Sequence, residues 1–128
     1  MQTAITNRDI FIASSIVLAW PLFEYAAHRW LMHEWTWTIF KHTHERHHIN
    51  PTPETGLPDL WVCILYYINI ILFNIVTPGL STANITVMWM LTLYEFVHFS
   101  CHTNYTPKTW IGWAIKANHL GHHSRHED

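Results

Sequence analysis

The chain has 128 residues, room for one domain, and 49% of them are hydrophobic while only 12% are charged. Soluble domains usually carry about twice that share of charge, so the composition points to a membrane. A formal net charge of −2 leaves no basic surface with which to bind nucleic acid.

Ile10 to Phe23 is apolar apart from Ser14 and Ser15, and a helical pattern can run on through Tyr25 to Met32. At 1.5 Å per residue this gives roughly 35 Å, long enough to span a bilayer, with Pro21 expected to kink the helix. Arg8 is the only early basic residue and no small-residue cleavage site follows, so this start does not read as a signal peptide. Lys41 to Asp59 reads as a polar connection with a breaker-rich run from Asn50 to Pro58, and Asp59 is expected to cap the next helix. Leu60 to Val76 is uncharged and at the short end of the spanning range. Thr77-Pro78-Gly79 stops it, and Ser81 or Thr82 is expected to cap a third helix running to about His102. These two segments should form an antiparallel hairpin. Thr106 and Pro107 should open a further helix, whose Trp110, Trp113, Lys108 and Lys116 suit the lipid interface. Cys63 and Cys101 lack Cys-x-x-Cys spacing and read as small buried hydrophobes.

The expected fold is therefore all-α: a single domain over residues 1–128, an integral membrane helical bundle with about three spanning helices and a His-rich metal-binding cap. Three crossings put every histidine on one side. Six of the seven basic residues (Arg29, Lys41, Arg46, Lys108, Lys116 and Arg125) fall there too, so the positive-inside rule makes that face cytoplasmic.

Two stretches share the pattern His-x-x-His-His: His44-His47-His48 and His119-His122-His123. On a helix, positions i, i+3 and i+4 share a face, so three imidazoles point the same way, each offering a lone pair to a metal when neutral. Helix three ends with His98 and His102 at i, i+4, a pair suited to a shared ion. Helix one ends with His28 and His33, five residues apart. An ideal α-helix puts those two on different faces, so His33 lies past the helix end or the backbone loosens there. A tetrahedral ion takes four ligands; ten histidines are too many for one ion and comfortable for two. His42 and His126 fall outside the motifs and read as outer or surface residues. Glu24 and Glu95 sit about one helical turn deeper in the membrane than His28 and His98. A carboxylate at that depth needs a reason. The expected one is to accept a hydrogen bond from the far ring nitrogen of a ligating histidine, with direct ligation by Glu95 as the alternative.

Taken in order, His28-x4-His33, His44-x2-His47-His48, His98-x3-His102 and His119-x2-His122-His123 resemble the four histidine boxes of the fatty acid hydroxylase / sterol desaturase superfamily. The resemblance covers Glu24 to His123. The stretch Phe23 to His33 is also similar to the bacterial carotenoid hydroxylases of that superfamily, while the gap in the third box fits its lipid hydroxylase branch better. The resemblance implies a non-haem di-iron centre with the ten histidines as ligands at the catalytic site. It implies O2-dependent hydroxylation or desaturation of a lipid C–H bond, in a fatty acyl chain or sterol, with a carotenoid ring as the alternative substrate. Helix one and the hairpin would hold the lipid. Imidazole suits zinc as well as iron, so two Fe ions are the family's choice and zinc could fill the site in purified protein. No cytochrome, flavin or ferredoxin motif is present, so a separate electron-transfer protein must supply electrons. Lys108, Lys116 and Arg125 are candidates for docking an acidic one. Trp35 to Trp37 and Trp110 to Trp113 read as interface anchors. Three crossings are fewer than in many members, and the chain ends at Asp128, just past the last box, so it reads as a minimal or truncated member.

A membrane metal-binding protein without catalysis is the rival from another class. A transporter needs polar ligands at mid-membrane, where helix two offers only Asn69 and Asn74 and helix three has nothing charged before Glu95. A soluble bundle holding haem or zinc is opposed by the uncharged segment Leu60 to Val76.

Overall fold

A computed structural model describes residues 5–52, 54 and 60–124. Among these residues every regular element is helical. Helix α1 spans Asn7–Ala27. It starts ahead of the apolar run because Thr6 and Asp9 close a capping box. The Asp9 amide donates to the Thr6 hydroxyl at 3.3 Å, and the Thr6 amide donates to the Asp9 carboxylate at 3.0 Å. The helix runs through Pro21 and passes directly into a π-helical turn, His28–Glu34. Asn7–Glu34 is thus one helix of 28 residues, long and apolar enough to cross a membrane.

Helix α2 (Ile39–Ile49) occupies the start of the stretch expected to be a connection. Thr38 caps it, accepting from the Lys41 amide at 3.2 Å, and its hydroxyl also donates to the Leu31 carbonyl of the π-turn. The helix carries no apolar stripe to announce it, because its inward face is made of imidazoles. Helix α3 is Leu60–Val76, and a short 3₁₀ turn, Pro78–Leu80, leads to helix α4, Ser81–Cys101. Asp59, the expected cap of α3, lies outside the described residues. Neither Ser81 nor Thr82 caps α4: Ser81 Oγ donates to the Pro78 carbonyl at 2.8 Å, and Thr82 Oγ1 to the Asp9 carboxylate at 2.5 Å. Helix α5 is Trp110–Ser124. Its cap is Thr109, whose hydroxyl accepts from the Gly112 amide at 3.2 Å, so the helix begins after Thr106 and Pro107.

Helix α1 packs along α4, α2 sits on the π-turn, and α3 and α5 flank α4. The axes of α3 and α4 turn through 116° at the break between them, an oblique angle in place of the expected antiparallel hairpin. Among the described residues there is one candidate span, or up to two if that bent pair counts as one broken span, where the sequence led to an expectation of about three.

The burial pattern is inverted relative to a water-soluble bundle. Among the described residues the most buried side chain is His47, 1% exposed, and His44, His98 and Thr38 are also buried, whereas the buried hydrophobics are Trp20 and Cys101. Leu18 is 82% exposed, Leu22 73% and Trp110 79%. Exposed apolar area on this scale marks a surface meant for an apolar neighbour. Hydroxyls on the helices are satisfied internally, as a bilayer demands: Ser15, Thr86, Thr92 and Ser100 each donate to the carbonyl one turn back. Asn74 is likewise engaged, donating to the Ile70 carbonyl at 3.0 Å and accepting from Asn84 at 3.2 Å, which gives it a packing role rather than a place in a transport path.

Candidate metal centre

Four helical segments deliver histidines to one end of the bundle. The π-turn solves the spacing of the first pair. Its bonds run from residue i+5 back to i, as in the Trp35 amide donating to the Trp30 carbonyl at 2.8 Å, so residues five apart come round to the same face. His28 and His33 therefore converge, with Nε2 atoms 3.2 Å apart. On α4, ordinary helical pitch does the same for His98 and His102, whose ring centroids are 5.3 Å apart.

Nine of the ten motif histidines fall into two groups, in each of which the ligand atoms all lie within 4.8 Å of one another. The first holds His28, His33, His44 and His122; the second holds His47, His98, His102, His119 and His123. His48 stands at the seam. Its Nε2 is 3.0 Å from that of His44, and its ring centroid is 4.3 Å from that of His123. The triplets therefore do not each aim at a single point, as a shared helix face suggests. Helix α2 sends His44 to the first group and His47 to the second. Helix α5 sends His119 and His123 to the second and His122 to the first. His42 stays outside, exposed near Glu45, and Arg125 and His126 lie outside the described residues.

Whether these residues suit an ion can be tested on their own hydrogen bonding. His28, His33 and His122 form a triangle of Nε2 atoms with sides of 3.0, 3.2 and 3.3 Å. Each nitrogen carries either a proton or a lone pair. Around a triangle two of three must be alike, so one contact always sets proton against proton or lone pair against lone pair. No choice of tautomers satisfies all three. A cation shared by three lone pairs does. Metal–imidazole bonds of about 2.1 Å place neighbouring ligand nitrogens roughly 3.0–3.4 Å apart and opposite ones about 4.2 Å apart. In the second group the nitrogens are at least as close: His119–His123, at 3.2 Å, falls in that range, while His47–His102 at 2.9 Å and His102–His119 at 2.6 Å are shorter than it.

The electrostatics agree. Burial first, and then repulsion from neighbouring imidazoles, lowers His47 to about 3, His119 to about 2 and His123 to about 4. His44 is depressed for the same reasons. All four are neutral at pH 7, the form that ligates. His123 Nδ1, on the far side of its ring, is buried without a hydrogen-bond partner among the described residues.

Glu24 hydrogen-bonds to Trp20, and Glu95 Oε2 is buried with no partner among the described residues. Among the described residues no imidazole hydrogen-bonds to either carboxylate. Trp35 and Trp37 stack at 5.6 Å on the loop before α2, and Trp37 is 77% exposed, as suits an interface anchor. Sequence reasoning missed Thr38 and Lys41, which join α2 to the π-turn. The missed signal was a lysine standing three residues ahead of both triplets.

The model of the fatty acid hydroxylase family matches residues 13–128. A curated relative, a dihydroceramide fatty acyl 2-hydroxylase from Arabidopsis thaliana, is 29% identical over 121 residues, which is 88% of this chain and 51% of the relative. The chain thus spans about half the length of the curated relative it matches. No solved structure matches the chain.

Proposed function

The chain belongs to the fatty acid hydroxylase family, and from that premise we propose that it is a membrane-bound, O2-dependent hydroxylase of a fatty acyl lipid, with two irons at the paired histidine groups. The observation that carries the reading is the convergence of nine histidines into two groups with coordination spacing at one end of an apolar bundle. The relative's name favours an acyl chain over a sterol or carotenoid, and hydroxylation over desaturation. Zinc fits the same nitrogens; iron is chosen because the reaction is a redox one.

The ten residues His28, His33, His44, His47, His48, His98, His102, His119, His122 and His123 form the catalytic metal site in this reading. Bound iron would supply the activation of dioxygen. One oxygen atom enters a C–H bond and the other leaves as water, so two electrons and two protons must arrive from outside the chain. A separate electron-transfer protein is the source. Of the three cations considered for docking it, Lys116 is already held by backbone carbonyls, so Lys108 is the better placed among the described residues. The chain's own part is to keep the imidazoles neutral, fix their spacing and present the site at the end of lipid-facing helices. Glu95 would take up a proton or an imidazole N–H when the groups close on metal. The topology proposed is a single multi-pass domain with the histidine end cytoplasmic, supported by the basic residues gathered there.

The test is to purify the chain anaerobically in detergent, count iron and zinc separately, then add O2, a reductant and an acyl lipid. About two irons per chain and a lipid product heavier by one oxygen atom support the reading. One ion per chain, or two zincs that iron cannot replace and no oxidised lipid, would leave a non-catalytic metal-binding protein.

A further inference from the structure

The two triplets are each preceded by lysine at the same distance: Lys41-x-x-His44-x-x-His47-His48 and Lys116-x-x-His119-x-x-His122-His123. The structure puts both lysines to one use. Lys41, on α2, reaches back to the π-turn and donates from Nζ to the His33 carbonyl at 2.8 Å. Its side chain is only 20% exposed, with the Glu45 carboxylate 3.5 Å away. Lys116, on α5, reaches back past the end of α4 and donates to the carbonyls of Thr103 at 2.7 Å and Tyr105 at 2.8 Å. In each case an accepting carbonyl belongs to the second histidine of a pair or directly follows it: His33 itself, and Thr103 next to His102.

The His33 carbonyl, in the last turn of its helix, lacks an intrahelical donor and sits at the negative end of the helix dipole, and the Thr103 and Tyr105 carbonyls lie in the loop that follows α4, so an ammonium is a fitting partner for each. A side chain on one helix bonded to the backbone end of another also fixes how far the two slide along each other. That offset decides whether a pair and a triplet meet at one point. We infer that Lys41 and Lys116 are positioning residues, each holding a histidine pair against the triplet with which it shares an ion. Lys41 sets His28 and His33 against His44; Lys116 sets His98 and His102 against His119 and His123. This rests on the dimetal reading and deepens it, giving each ion its own lock. The lysines act through backbone carbonyls, not through a ligand atom.

The experiment uses the full chain in detergent, loaded with cobalt(II), and follows the loss of each ion to a chelator. Lys41→Met should speed the loss of one ion roughly tenfold, the scale of removing a support behind a ligand, and leave the other at the wild-type rate. Lys116→Met should do the reverse. His122→Ala, which depletes the first group, identifies which ion is which. Lys41→Arg and Lys116→Arg, which keep the charge and donors, should restore most of the retention. If a methionine variant does not fold, Lys41→Gln and Lys116→Gln are measured the same way, with the same split expected. Equal loss of both ions from either variant, or no change, overturns the inference, because a lysine that merely stiffened the bundle would not choose between ions. A wild-type chain that takes up only one ion overturns the dimetal reading and this assignment with it.

Discussion

The two histidine groups differ by one residue. In the second, His98 sits on regular α-helix and His102 caps its C-terminal end; in the first, His28 and His33 are spaced one residue further apart and the helix changes pitch to accommodate them. A π-turn is rare because its hydrogen bonding is less favourable than the α form. Here it is braced from α2, by Thr38 on the Leu31 carbonyl and Lys41 on the His33 carbonyl. The lesson is that ligand geometry, not helix regularity, is what this end of the bundle preserves. The triplets are divided in a related way: α5 gives His119 and His123 to one group and His122 to the other, while α2 gives His44 to one and His47 to the other and leaves His48 between them.

That crossing is where the comparison breaks most sharply. In the proposed site His122 would be the α5 ligand in the first group, and His47 the α2 ligand in the second. His122→Ala should cost one ion and His47→Ala the other, each leaving about one ion per chain. Turnover should fall by more than the roughly 10- to 100-fold typical of losing an outer support. Metal counts and product yield measure both; a variant that keeps two ions would dismantle the grouping.

A smaller effect treats the groups alike. His44, His47, His119 and His123 are depressed below the ordinary value of about 6.5, with His123 at about 4 and His47 at about 3. The unfolded chain therefore binds more protons than the folded one between about pH 6.5 and about pH 4. Stability of the metal-free protein should fall as pH drops through that window and go on falling to about pH 3, because His47 still binds fewer protons in the folded chain than in the unfolded one. Loaded protein should hold its ions well below pH 6.5. Unfolding and metal retention across the range check the sign, and a protein that loses its ions already at pH 6.5 would contradict it.

The smallest effect separates the ends of α5. Nothing lies within 4 Å of a Cβ added at Gly121, so Gly121→Ala should stabilise the chain by about 0.5–1 kcal/mol through helix propensity. A Cβ at Gly112 would stand 2.9 Å from Pro107 Cβ, so Gly112→Ala should give no such gain. Thermal unfolding of the two variants side by side decides it.

The candidate histidines were legible because their spacing is itself helical: His98 with His102, and each triplet, can be read directly from i, i+3 and i+4. The uncharged α3 and the long α1 were legible from hydropathy. What escaped is whatever depends on contacts between segments. Helix α2 has no apolar face, since imidazoles replace it. The five-residue spacing allowed for a loosened backbone at His28 and His33, but not for its bracing by Thr38 and Lys41 from another helix. The division of each triplet between two groups depends on where the π-turn and the end of α4 meet α2 and α5, which no single segment encodes. The 116° turn between α3 and α4 has no signature in a run of uncharged residues.

At the end of the molecule far from the histidines, the Asp9 carboxylate accepts from Thr82 and Arg8 donates to the Gly79 carbonyl. These contacts join the start of α1 to the start of α4, the two helices that carry the histidine pairs. From that joint to His28 and His98 is roughly 25–30 Å of helix. Over such an arm, a tilt of about one degree displaces the far end by about 0.5 Å, more than the ±0.2 Å that a metal site tolerates. The joint thus works as the pivot of a pair of calipers, and the precision of the jaws is set where no ligand is found.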